Sequence, residues 1–271
     1  MSEFSTEISV VEPGRVLIRG YSHEEIIGRL PYAEAAYLTL VGRLPTDDEA
    51  RVIDGMLTSL LDHGWVASTI TAARYIASGN PQFIPAVAGG ILAAGRNTLS
   101  PEHSFKLLDE VAQERKARSS TTVEAARNVV EQRVARRERI PGLGHPVHRV
   151  TDFRSEVLFA LAKKHHVAAD SVEIIESVRL VTHEATGRLM PVNIDGCLAA
   201  LGRDLGLSAN QVVGFAVLGV LPGLMAHVIE EIEAGVPLRF IRDGRYTGPE
   251  YRPLPARGKR VNTETDRQTR P

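Results

Sequence analysis

The chain has 271 residues, enough to bury a substantial core as one large domain or as a large domain with a smaller insertion. Its 32 Lys and Arg nearly balance 33 Asp and Glu, a formal net charge of −1, so no global field draws nucleic acid or an anionic membrane and any anion binding has to be local. The single cysteine, Cys197, excludes an internal disulfide and any multi-cysteine metal site, which fits a reducing compartment.

Residues 1–20 carry Glu3, Glu7 and Glu12 and no apolar core of signal-peptide length, so the cytoplasm is the expected location. Segment 6–18 is β-branched with Pro13-Gly14 in its middle and reads as a small N-terminal hairpin. Beyond it, apolar residues recur at helical spacing and aromatics are few, so the expected class is all-α. Ser22-His-Glu-Glu25 reads as a capping box opening the first helix. Helices are expected at 22–30, 32–41, 46–62, 67–79 and 81–95, divided by Pro31, the Leu44-Pro45-Thr46 cap, Gly64 and the Gly79-Asn80-Pro81 turn. Charge-rich helices follow at 101–118 and 121–138. Next come 152–166 from an Asp cap, 170–186, 195–205 and 208–233. The longest apolar run, Val212 to His227, is broken by glycine and proline and reads as a buried helix, not a membrane span. From Pro253 the chain turns proline- and charge-rich without periodicity, a tail that is either disordered or laid on a partner chain.

The chemistry concentrates in Ile140-Pro-Gly-Leu-Gly-His-Pro-Val-His-Arg149, followed by Asp152-Phe-Arg154 and by Val192-Asn-Ile-Asp195-Gly196. A histidine, two arginines and a carboxylate are thereby offered to one site. Gly142 and Gly144 would let backbone N–H groups approach a ligand, and Arg149 and Arg154 suit bidentate capture of phosphate or carboxylate. The residues alone therefore point to an anionic, carbonyl-bearing substrate. The basic run Arg133 to Arg139 is either a solvated helix face or a dock for a nucleotide phosphate. No dinucleotide fingerprint, Walker loop or internal repeat is present.

With these motifs in view the chain resembles the citrate synthase family, in particular its short citryl-CoA lyase branch, the module that also ends ATP-citrate lyase. The resemblance runs from Ile18-Arg-Gly-Tyr21 through Ala35-Ala36-Tyr37-Leu38, Leu44-Pro45-Thr46, Asp62-His63-Gly64, Ser68-Thr69 and Ala72-Ala73-Arg74. It continues through the His145 loop, Asn193-Ile-Asp195-Gly196, Pro222-Gly-Leu-Met-Ala-His227 with Glu230, and Tyr246-Thr-Gly-Pro249. It implies a helical homodimer with an active site completed by the neighbouring subunit. The large dimerisation domain would comprise 1–98 and 201–252, the small substrate-closing domain 99–200, and the C-terminal tail 253–271. The implied chemistry is reversible carbon–carbon bond making between acetyl-CoA and oxaloacetate. Coenzyme A thioester is then a substrate, and no permanently bound cofactor or metal is implied.

Carried over residue by residue, Asp195 matches the base for the methyl proton and His145 the donor to the ketone or hydroxyl oxygen. His63 and Arg154 match ligands of the oxo-acid, Arg149 with the Gly142, Leu143, Gly144 loop matches coenzyme A contacts, and Arg242 matches an arginine reaching the neighbouring subunit's site. Each has a plainer reading as well: Asp195 as a helix cap, His63 as a helix-end histidine. His165-His166 reads as a solvated helix end and His227 as a packed, hydrogen-bonded core residue.

Two positions depart from the family. Thr98 stands at or near a second catalytic histidine, and the Gly-Gly-Ala that follows it in lyase modules is Ser100-Pro101-Glu102 here. Val220 stands where an arginine usually clamps a substrate carboxylate. The readings that follow are a citryl-CoA lyase or citrate synthase-like enzyme, a Claisen-type condensing enzyme for a different 2-oxo acid or acyl-CoA, and a non-catalytic CoA- or metabolite-binding homologue.

Overall fold

A computed structural model describes residues 4–254. It contains a three-stranded antiparallel sheet, β1 (Ser9–Glu12), β2 (Arg15–Ile18) and β3 (Tyr21–Ser22), followed by eleven helices. These are α1 (His23–Arg29), α2 (Tyr32–Val41), α3 (Asp47–Thr58), α4 (Ser68–Gly79), α5 (Phe83–Leu92), α6 (Pro101–Arg118), α7 (Thr122–Ala135), α8 (Phe153–Lys164), α9 (Asp170–Thr186), α10 (Ile194–Asp204) and α11 (Ala209–Ala234). The all-α expectation holds, and every expected helix is present. The chain divides into two compact units at Leu238/Arg239, and the expected tail lies almost wholly outside the described residues.

Caps explain most helix starts. Thr46 with Glu49, Thr121 with Glu124 and Ser208 with Gln211 form complete capping boxes at α3, α7 and α11. The Ser22 capping box is a correction: Ser22 sits at the N-cap of α1 but its side chain makes no cap hydrogen bond. Tyr21–Ser22 instead pairs with β2, Leu17 opposite Ser22, which turns the expected hairpin into a three-stranded sheet. The end of α3 is a second correction. It stops at Thr58, not 62, because the chain turns to pass over α11, where a Cβ at Gly219 would lie 3.0 Å from the Leu57 carbonyl.

α11 is long and apolar enough to cross a membrane by length and composition. It packs instead against α2, α3, α4, α5, α6 and α10, with Val212, Phe215, Ala216, Leu224 and Val228 buried. The main core joins Tyr37, Met56, Leu107, Ile174, Leu201 and Phe215, while Ile70, Ala73, Ala86, Leu224 and Val228 form a second cluster where α4, α5 and α11 meet. His165 is not the solvated histidine expected: its Nδ1 lies 2.7 Å from Asp48 Oδ1, tying α8 to α3.

Candidate active site

A cavity of about 590 Å³ opens between two groups of segments. One wall comes from residues 60–70, the turn 93–98 and Val220 of α11; the other comes from Gly144, His145, Arg154 and the start of α10 at Asn193–Asp195. Of the expected site residues, His63, His145, Arg154, Asp195 and Gly144 all line it. Arg149 is exposed and is not among the lining residues, and Arg242 belongs to the second unit, where its guanidinium lies 5.2 Å from the Phe240 ring.

The His145 loop and α10 are stitched together by backbone. Gly144 N–H donates to Pro191 O at 2.9 Å, Asn193 N–H donates to Gly142 O at 2.9 Å, and Leu143 bridges Val192. Asn193 also caps α10 through Gly196 N–H and donates its amide to Gly144 O. The glycines therefore serve chain-to-chain packing: both have left-handed φ, and Gly144's amide is committed to Pro191 rather than free for a ligand. Gly196 is packed so tightly that a Cβ on it would lie 2.5 Å from Gly142 O. Gly196→Ala is expected to cost roughly 1–3 kcal/mol of stability and to lower kcat by displacing Asp195 from His145. An unchanged thermal midpoint would show that the two segments can separate freely.

His145 Nδ1 accepts from two backbone amides, Val147 at 3.1 Å and His148 at 3.0 Å. The neutral ring must then carry its proton on Nε2, which donates to His63 Nε2 at 3.0 Å. Burial lowers the His145 pKa to about 4, with the neighbouring His63 and Arg154 charges acting the same way. Burial and Arg154 likewise lower His63. Both rings are neutral near pH 7, and His145 holds a fixed N–H donor that His63 accepts and that a substrate oxygen in the cavity would take over.

His148 stacks on His145 with ring centroids 4.7 Å apart, and nitrogens of His63, His145 and His148 come within 4.8 Å of one another. Such a trio suggests a divalent ion, but the tautomer opposes it. A metal would have to take either Nδ1, already accepting two N–H groups, or Nε2, which holds the proton.

Asp195 lies in the first turn of α10, and its carboxylate accepts from Ser100 N–H at 3.3 Å. Burial raises its pKa to about 6; the Ser100 hydrogen bond opposes this and the Glu102 charge reinforces it. The residue before Ser100, Leu99, has φ of 52°, an uncommon conformation for a branched side chain, in the chain that aims this amide.

Arg154 is buried, and it meets Asp152 through both Nε at 2.9 Å and Nη2 at 2.7 Å. Asp152, 1% exposed, also caps α8 through Arg154 N–H. Burial pushes Asp152 up, but the Arg154 hydrogen bonds and charge outweigh it and hold the carboxyl below its ordinary value. The bidentate face of Arg154 is thus occupied by Asp152, leaving Nη1 as the nitrogen that this ion pair does not use. Sequence reasoning missed this pairing and the roles of His148 and Ser100. The Asp-X-Arg spacing at a helix start was the one local signal for the first of them.

Such a cavity can take a weakly acidic proton from carbon and steady an oxygen that gains charge, the work of enolising enzymes. The chain belongs to the citrate synthase family: the model of the citrate synthase C-terminal domain matches residues 45–242. The citryl-CoA lyase of Hydrogenobacter thermophilus is 31% identical with a TM-score of 0.83, covering 93% of this chain and 97% of that one. The fold is shared with the ATP citrate lyase of Methanosaeta concilii, at TM-score 0.78 and 19% identity, over 92% of this chain and 42% of the other. The citrate synthase of Deinococcus radiodurans is 27% identical over 259 residues, which are 92% of this chain but 63% of that protein, so the present chain spans less than two thirds of its length.

Proposed function

We propose that the protein makes or breaks a carbon–carbon bond between an acyl-CoA and a 2-oxo acid, with a citryl-CoA-type thioester as the substrate or product. The observation that carries this is the sharing of one cavity by Asp195, poised near pH 6, and the neutral Nε2–H donor of His145. In the condensing direction Asp195 takes the proton from the carbon next to the thioester. The carbanion attacks the ketone while Arg154 holds a carboxylate. The ketone oxygen replaces His63 as acceptor of the His145 Nε2–H and takes that proton as it becomes the hydroxyl, His145 being reprotonated from solvent. Cleavage is the reverse: the hydroxyl proton leaves by way of His145 as the carbon–carbon bond breaks and the ketone forms, and protonated Asp195 returns its proton to the carbon. No step needs a resident metal or cofactor.

The similarity to the Hydrogenobacter citryl-CoA lyase and the absence of a histidine at Thr98, which lines the cavity, favour cleavage over thioester hydrolysis. The test follows oxaloacetate release from citryl-CoA beside free thiol formed from acetyl-CoA plus oxaloacetate. Oxaloacetate without thiol supports a lyase, thiol release means a synthase, and silence in both rejects the citryl-CoA reading.

One observation favours a second reading, a smaller or less charged oxo-acid. Val220 lines the cavity, Arg154 is its one buried guanidinium, and that group is already paired with Asp152. Val220→Arg is expected to tighten a dicarboxylate oxo-acid by at least about tenfold, since a desolvated charge pair is worth roughly 2–5 kcal/mol. If the unaltered protein already binds oxaloacetate more tightly than pyruvate, this reading fails.

A closing motion of 99–200 over the substrates fits the division of the cavity walls, because His145, Arg154 and Asp195 come from that segment and His63 and Val220 from outside it. A homodimer is proposed on the exposed apolar side chains of α5, Ile84 at 77% and Leu92 at 84%. Coenzyme A would meet Arg149 at the exposed end of the His145 loop, with Arg242 delivered by the partner subunit.

A further inference from the structure

We propose that Arg74 and His227, neither of which lines the cavity, are positioning residues that clamp the loop carrying His63 on both of its flanks. The inference rests on the assignment of His63 to the substrate site. The loop between α3 and α4 has no helix of its own beyond a single 3-10 turn, Gly64–Val66, so something outside it has to fix the imidazole.

Two prongs reach it from α4 and α11. On the side before His63, Asp62 Oδ1 lies 3.2 Å from His227 Nε2. On the side after it, the Trp65 ring lies under the Arg74 guanidinium, 4.5 Å from centroid to Cζ. The prongs are joined, because Arg74 Nη1 lies 3.2 Å from His227 Nδ1. Arginine can only donate, so His227 Nδ1 accepts and the ring carries its proton on Nε2, the nitrogen that lies 3.2 Å from Asp62 Oδ1. The ring is thereby held in the one tautomer that can grip the loop.

Arg74 is itself fixed in place. It is 6% exposed, with Nε donating to Glu231 at 2.7 Å and Nη1 to Glu230 at 2.7 Å, and Glu231 is 1% exposed. The α11 backbone supports the same loop from beneath, since a Cβ at Gly223 would overlap the Leu61 carbonyl oxygen. One face of α11 thus carries Gly219, Gly223, His227 and Glu230 at one- and two-turn spacing, and each meets α3, the His63 loop or Arg74. The buried ions stabilise little net, but they give the loop a unique position.

The experiment avoids Arg74, whose removal would take the Nε hydrogen bond from buried Glu231 and disturb the core beneath the loop. It uses His227→Gln and Trp65→Leu, singly and together, Trp65 being 57% exposed. Hydrogen exchange of the 59–67 backbone is expected to speed up by roughly tenfold in the double variant while α4 and α11 keep their protection. Unchanged exchange in the loop, or equal loss of protection throughout α4 and α11, overturns the proposal. Turnover is then compared in the presence and absence of His63. The double variant is expected to lose roughly ten- to a hundredfold in kcat/KM for the oxo-acid, chiefly through a raised KM, and to lose nothing further in a His63→Ala background. A full additional loss in that background overturns it. If no tested thioester is turned over at all, the reading of the reaction fails while the exchange arm still decides the clamp.

Discussion

Asp195→Asn is expected to abolish turnover and, above pH 6, to make the protein more stable. The loss of rate follows from removing the one carboxylate placed to move the carbon-bound proton, a contribution of roughly 10²–10⁴-fold in general acid–base catalysis. The stability change follows from the pKa of about 6 that burial gives the carboxyl. Its unfolded value lies near 3.8, so between the two the folded state holds a proton that the unfolded state has released. Asp195 therefore favours folding fully below about pH 3.8, and this is lost as pH rises through 6. A shift of about two units corresponds to a ceiling of roughly 3 kcal/mol, and access of cavity water reduces it to about 1–2 kcal/mol at pH 8. Melting curves of both proteins at pH 5 and pH 8 test it: the gap between them should widen with pH. Retention of normal kcat in the variant would remove Asp195 as the base, and identical midpoints at both pH values would mean that the charge is not costly where it lies.

Arg154→Met is expected to destabilise the fold by about 3–5 kcal/mol, because it leaves the Asp152 carboxylate buried without its cation. Asp152 is 1% exposed and receives three hydrogen bonds from Arg154, two of them through the guanidinium. Adding Asp152→Asn should recover a substantial part of the loss. The double variant should still bind oxo-acid poorly, since the cavity has no other buried guanidinium. Denaturant unfolding of the three variants separates the two effects. A single Arg154→Met protein as stable as the parent would mean that Asp152 is solvated or protonated. The sign with pH is also fixed. With arginine present the Asp152 carboxyl is held below its ordinary value, so the stabilisation by the pair is present at neutral pH and falls away as pH drops through that depressed value.

Much of the fold was legible because it is written locally. Thr46 with Glu49 and Ser208 with Gln211 announce helix starts within four residues, and Gly42, Gly187 and Gly235 end α2, α9 and α11 in the left-handed conformation. Where a local signal failed, a tertiary partner had overridden it. Ser22 has the composition of a cap, yet its backbone pairs with Leu17, and α3 ends early because α11 crosses beneath the chain. In the site, His145, Asp195 and Arg154 stand out by motif and family resemblance, and they do share a cavity. What lay beyond reach was every pairing at long separation. Arg74 meets its partners about 150 residues away in α11, and Gly196 fits against Gly142 with no periodicity to announce either. Spacing along a chain cannot encode such contacts, because they exist only once the helices have packed.

The backbone seam between residues 142–144 and 191–193 has one more implication. Under the proposed closing motion it would carry Asp195 and His145 together on one wall, with His63 and Val220 on the other. Opening and shutting would then alter how the cavity grasps its acid without altering the span between Asp195 and His145. On that reading, substitutions at His63 or Val220 would retune which acid is accepted while Asp195 and His145 keep their spacing.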